Sequence, residues 1–155
     1  MSDNSPSLIR QIDLPPVWLA GFVAIAWAQS RWLPSPPGGT GTLWAGNGLV
    51  VIGLALMVVA LAQMVTSRTT FVPRQRPSRL LTSGAFGISR NPIYLGDTLV
   101  LIGLILRWDA FLTLLLVPVF VLMIQKRFIL GEEARNRAEF GAAFDDYAAR
   151  VRRWL

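Results

Sequence analysis

The chain has 155 residues, of which 53% are hydrophobic and only 15% charged, and its mean hydropathy of +0.48 exceeds that of ordinary soluble domains; the length suits one domain over 1–155. A net charge of +6 would suit nucleic acid if the arginines lined one face of a soluble fold, but they fall between apolar runs, which points to a membrane surface and away from nucleic acid. Cysteine and histidine are both absent, which excludes disulfides, thiolate nucleophiles, histidine bases and nearly all zinc sites, so no metal centre is expected. Chemistry must then run on carboxylates, arginines, tyrosines and a bound cofactor.

Met1 to Asp13 is polar and is expected outside the bilayer, with a short interfacial piece around Leu8 and Ile9. Pro16 to Leu33 is an apolar run of 18 residues, about 27 Å as a helix and close to the hydrocarbon thickness of a bilayer; Pro15 and Pro16 stand where a first turn tolerates them. A secretory signal peptide is the competing reading, opposed by a basic flank reduced to Arg10 between Asp3 and Asp13. Pro34 to Gly48 reads as an uncharged Pro/Gly-rich loop flanked by Trp32 and Trp44 as interfacial aromatics. Leu49 to Val65 is the clearest span and is broken only by Gln63.

Arg68 to Arg90 carries arginines at 68, 74, 76, 79 and 90 and prolines at 73 and 77, so it cannot cross lipid as one straight helix and is expected on the membrane face. Ile93 to Leu106 and Ala110 to Ile124 are short apolar runs that suggest a helical hairpin turning near Asp109. Beyond Gln125 charges appear on most turns, with Phe140, Phe144, Tyr147 and Val151 at helical spacing, the pattern of an amphipathic helix on the membrane surface that can continue the fourth span. The expected fold is therefore all-α and polytopic, with about four transmembrane helices. Thirteen basic residues lie on one side of this layout, against Arg31 and Arg107 on the other, so both termini are expected in the cytoplasm. An even number of spans then places Arg90, Glu132 and Glu133 on that same side.

The stretch Leu80 to Gly96 interrupts the apolar pattern with polar and conformationally special residues. Arg90 can act as a fork for an anion or as a snorkelling anchor, and Asn91-Pro92 is a plausible helix start whatever the function. Tyr94 can stack on or bond a ligand, or sit at the interface as tyrosines commonly do. Gly84 and Gly87 allow close approach to the backbone or simply form a turn. Asp97 is the most conspicuous acid, because a carboxylate among apolar neighbours needs a partner or a polar cavity. Glu132 and Glu133 point to helix faces about 100° apart, so one can turn inward while the other meets water.

In this order the residues resemble the membrane-embedded methyltransferases that include isoprenylcysteine carboxyl methyltransferase and the phospholipid N-methyltransferases. The resemblance covers Leu80 to Leu155. The family pattern L-x-x-x-G-P-Y, then R-H-P-x-Y-x-G, then a hairpin, a paired E-E and F-G-x-x-[FY]-x-x-Y appears as Leu80 to Phe86, Arg90 to Gly96, Glu132-Glu133, and Phe140-Gly141 with Phe144 and Tyr147. Two departures stand out: Asn91 replaces the histidine and cannot be an acid or base, and Gly84-Ala85-Phe86 replaces G-P-Y. The resemblance implies a single membrane methyltransferase domain that binds S-adenosylmethionine through Leu81, Gly84, Ala85, Phe86, Arg90, Asn91, Pro92, Tyr94, Leu95, Glu132 and Glu133. Arg90, Glu132 and Asp97 would carry the chemistry, with Arg90 pairing the methionyl carboxylate or buttressing a glutamate. A lipophilic acceptor would enter from the bilayer, which for a small chain of this kind is a bacterial inner membrane; the oligomeric state is left open.

The missing bases favour an acceptor already ionised at neutral pH, hence carboxyl O-methylation of an isoprenylcysteine-like substrate. Phospholipid or other amphiphile N-methylation is the alternative and would need Asp97, Glu132 or Glu133 as base. A non-catalytic membrane protein with the same fold and a sterol-type membrane reductase are the readings from other classes.

Overall fold

The computed structural model describes residues 13–68 and 78–155. The interfacial piece at Leu8 and Ile9, Arg10, and the arginines and prolines between 73 and 77 lie outside the described residues. Helices account for the fold: α1 Pro15–Trp32, α2 Gly39–Thr66, the short α3 Ala85–Ile88, α4 Pro92–Arg107, α5 Val117–Ile124, α6 Leu130–Phe140 and α7 Ala142–Arg150. A 3-10 segment, Phe111–Leu116, leads into α5, and a π-helical turn, Gln125–Ile129, joins α5 to α6. Together these make one continuous helical run from Phe111 to Phe140.

Two helices among the described residues are long and apolar enough to cross a membrane, Gly39–Thr66 and Phe111–Phe140. At 1.5 Å per residue the 28 residues of α2 extend about 42 Å. Its buried positions are Gly46, Gly53 and Ala60, seven residues apart, while Val51, Ile52, Leu54, Val58, Val59 and Val65 are exposed as a lipid-facing surface would be. The opposing stripe on α4 is also small and also spaced by seven. A methyl group added at Gly53 would come within 2.7 Å of the Gly96 carbonyl oxygen, and one at Gly46 within 2.6 Å of that of Gly103. The two backbones therefore touch through their glycines, as membrane helices do when small residues line the contact.

That contact corrects the expected Pro34–Gly48 loop. The prolines at 34, 36 and 37 do precede the helix, but α2 begins at Gly39, ten residues before the expected span. Gly46 belongs to the packing stripe, not to a turn.

The central helix is α4, with most of its residues from Pro92 to Ile105 buried. Its other face packs with α1 and the Phe111–Phe140 run through Tyr94, Leu101, Ile105, Ala26, Phe120, Ile124 and Phe128. The expected hairpin is present, and it turns at Asp109, which takes a positive φ of 51°. The Asp109 carboxylate accepts the Gly38 N–H at 3.1 Å, tying the turn to the entrance of α2.

The expected single C-terminal amphipathic helix is two. Its first part does continue the fourth apolar run, but Gly141 adopts φ +52° and ends α6, a conformation glycine takes without steric cost. The chain then folds back as α7, and its last residues run beside Ser89 and Arg90.

Candidate active site

The site begins at a turn that only glycine accommodates well. Gly84 has φ +61°, followed by α3, only four residues long. Ser89 is extended, and Pro92 opens α4 at a position where its missing N–H costs nothing. Asn91 precedes the helix, as expected of a cap, yet its side chain makes no cap bond. Its Nδ2 instead donates to the Arg153 carbonyl at 3.0 Å. The Ser89 hydroxyl reaches the same carbonyl at 3.1 Å.

Arg90 is enclosed by partners. Nε and Nη2 donate to Glu133 Oε1 at 3.2 and 3.0 Å, while Nη1 donates to the carbonyls of Ala148 and Val151 at 2.9 and 2.8 Å. Its main-chain N–H donates to the Arg152 carbonyl. Arg153 binds the same carboxylate from the other side, Nε to Oε1 at 3.0 Å and Nη2 to Oε2 at 2.7 Å. Those hydrogen bonds, donated to the Glu133 carboxylate, hold the Arg153 guanidinium above its ordinary pKa. The Arg90 guanidinium is thus occupied by Glu133 and by carbonyls at the end of α7.

Glu132 goes elsewhere. One helical position away it accepts the Tyr94 hydroxyl at 2.7 Å, and Tyr94 stacks on Phe128 of the π turn with ring centroids 6.3 Å apart. Asp97 lies one turn beyond Tyr94 on α4 and is 3% exposed; its carboxylate makes no hydrogen bond to a described residue. The paired acids divide, Glu133 into a two-arginine lock and Glu132 to Tyr94, so both have side-chain partners and neither is simply the water-facing acid expected. No hydrogen bond or ion pair joins Arg90 to Glu132.

Pro92 and Leu95 are buried beside this cluster, and Leu81 is half-buried ahead of the Gly84 turn. Ala85 is buried, its N–H donating to Gln63 Oε1 at 2.9 Å. Phe86 is half-buried and its carbonyl accepts the Tyr147 hydroxyl at 2.6 Å. Burial pushes the Tyr147 phenol up to about 12; Arg90 acts the other way and Glu133 adds to the rise.

Sequence reasoning did not single out three participants. Arg153 and its carbonyl were hidden in a basic tail whose charges read as orientation signals. Gln63 carried a signal, being the lone polar residue of its span. The π turn had none, although π turns recur at functional sites; it leads directly into the helix that carries Glu132 and Glu133.

A helical protein with two membrane-length helices and a polar cluster of tyrosine, carboxylates and arginines at the end of its apolar core belongs to the integral membrane class. Its family follows from comparison: the phospholipid methyltransferase family model matches residues 42–143, more than half of the chain, and the protein belongs to that family, which implies methyl transfer. The match reaches back through α2, well before the Leu80 at which the motifs begin, and stops within α7. No curated protein and no solved structure gives a match.

Proposed function

We propose that the protein is an S-adenosylmethionine-dependent methyltransferase acting on a lipophilic acceptor, with four membrane spans and with both termini and the site in the cytoplasm of a bacterial cell. The observation that supports this most is the Tyr94–Glu132 hydrogen bond beside the unbonded, buried Asp97. The donor set fits the cofactor: carboxylates accept from ribose hydroxyls, and carboxylates together with aromatic faces favour a sulfonium cation. When bound, S-adenosylmethionine supplies an electrophilic methyl group. Tyr94, Asp97 and Glu132 would hold it, Gly84 to Phe86 would line the pocket, and the Glu133 lock would keep the Arg90 turn and α7 closed over it.

Carboxyl O-methylation of an isoprenylcysteine-like acid needs no base and remains the reading drawn from the absent histidines. One observation favours a second reading, N-methylation of a phospholipid or similar amine. Asp97 and Glu132 would repel a carboxylate, whereas either can take the proton that an ammonium must lose before its nitrogen can accept a methyl group. Methyl-labelled cofactor offered to total membrane lipid and to short prenylcysteine analogues separates the two. Label in the lipid fraction supports the amine, label in the analogues supports the carboxylate, and label in neither refutes both.

A further inference from the structure

We propose that Gln63 is a positioning residue for the cofactor, holding the Ser83–Ile88 loop from α2 in the shape that lines the adenosyl pocket. The inference rests on the reading of that loop as part of the pocket. A helix of four residues such as α3 cannot hold its own shape, because a single turn costs more conformational freedom than its hydrogen bonds return. Its conformation must come from outside. On one side the Tyr147 hydroxyl holds the Phe86 carbonyl; on the other Gln63 holds both peptide groups that flank Gly84. Gln63 Oε1 accepts the Ala85 N–H at 2.9 Å, and Nε2 donates to the Ser83 carbonyl at 3.3 Å.

The fit is mutual. A methyl group on Gly84 would lie 2.0 Å from Gln63 Nε2, so the glutamine occupies the space that a side chain at 84 would need, and the positive φ of Gly84 turns the two peptide groups toward it. A primary amide is a costly residue in the apolar run Leu49–Val65, which has no other polar side chain. Packing alone would be served by an apolar side chain of the same length. Both ends of this amide are committed to backbone at the Gly84 turn, the Ser83 carbonyl before it and the first N–H of α3 after it.

The test uses the full chain in detergent and titrates S-adenosylhomocysteine against wild type, Gln63→Met, Gly84→Ala and the double variant, with the ligand-free Tm of each. The expected result is a Kd about tenfold weaker in each single variant, the scale of losing one or two hydrogen bonds, and a loss in the double smaller than the sum of the two, because both changes disturb the same contact. The ligand-free Tm of Gln63→Met should stay within about 2 °C of wild type, a shift below 1 kcal/mol for a chain of this size. An unchanged Kd with a lowered Tm makes Gln63 a packing residue and overturns the inference, as does an additive loss in the double variant. Wild type that fails to bind the probe overturns the cofactor reading itself, an outcome distinct from the other two.

Discussion

Glu133→Ala tests the lock directly. The carboxylate receives four hydrogen bonds from the guanidinium groups of Arg90 and Arg153, at 2.7 to 3.2 Å, and the side chains of Glu133 and Arg90 are only 10% and 12% exposed. Removing one member of such a buried pair typically costs about 3–5 kcal/mol, because the partner is left charged and unpaired. Arg153 is 32% exposed and water can take over part of its solvation, so about 2–4 kcal/mol is the appropriate scale. For a chain of this length that corresponds to a Tm lowered by about 5–15 °C. Thermal unfolding in detergent, followed by intrinsic tryptophan fluorescence, reads it. Arg153→Ala should cost less than Arg90→Ala, because Arg90 also holds the carbonyls of Ala148 and Val151. A Glu133→Ala protein that melts within 1 °C of wild type, or an Arg153→Ala protein that melts lower than Arg90→Ala, refutes this account of how the C-terminal segment is fastened.

Gly53→Leu should lower the Tm by several degrees, since even its first carbon would approach the Gly96 carbonyl to 2.7 Å and overpacking costs about 1–3 kcal/mol; an unchanged melt would mean that α2 and α4 do not meet there. Asn91→His should fold and melt near wild type, because an imidazole N–H can replace the Nδ2 donor to the Arg153 carbonyl, and failure to purify would show that the pocket cannot take the larger ring. Tyr147 titrates near 12 when folded against about 10 when unfolded. Folding therefore retains a proton that the unfolded chain releases, so its contribution to stability is intact below pH 10 and is lost as pH rises from about 10 to 12. Tyr147→Phe should reduce the fall of Tm between pH 10 and 12, and a slope unchanged by the substitution assigns it wholly to other groups.

The apolar runs were legible in sequence because hydrophobic length is the main constraint that lipid imposes on a helix, and the turn at Asp109 was legible because polar residues there interrupt two such runs. Glycine was ambiguous. At Gly46 the same residue that signals a loop serves close helix packing, and only the partner stripe at Gly96 and Gly103 tells the two apart. The meeting of Arg90 with Glu133 was anticipated from motif order, and the order gave no hint that Arg153 closes the other side, since an arginine in a basic tail looks like any topogenic charge. The division of labour between Glu132 and Glu133 was visible as a 100° rotation. Which acid faces which partner depends on how α6 is rotated about its axis, and the π turn Gln125–Ile129 that leads into it was not read from the hydrophobic periodicity.

The most direct measurement is transfer of a labelled methyl group from S-adenosylmethionine by the full chain in its own membranes, compared with Glu132→Gln. Glu132 has one hydrogen bond to a described residue, from Tyr94, so its loss should spare the fold while removing about 10²-fold or more of the rate. Label that appears in an organic-soluble product with wild type and disappears with Glu132→Gln is the predicted result. Wild type that transfers no label to any membrane component, or a Glu132→Gln protein with full activity, contradicts the assignment of this cluster as the methyl-transfer site.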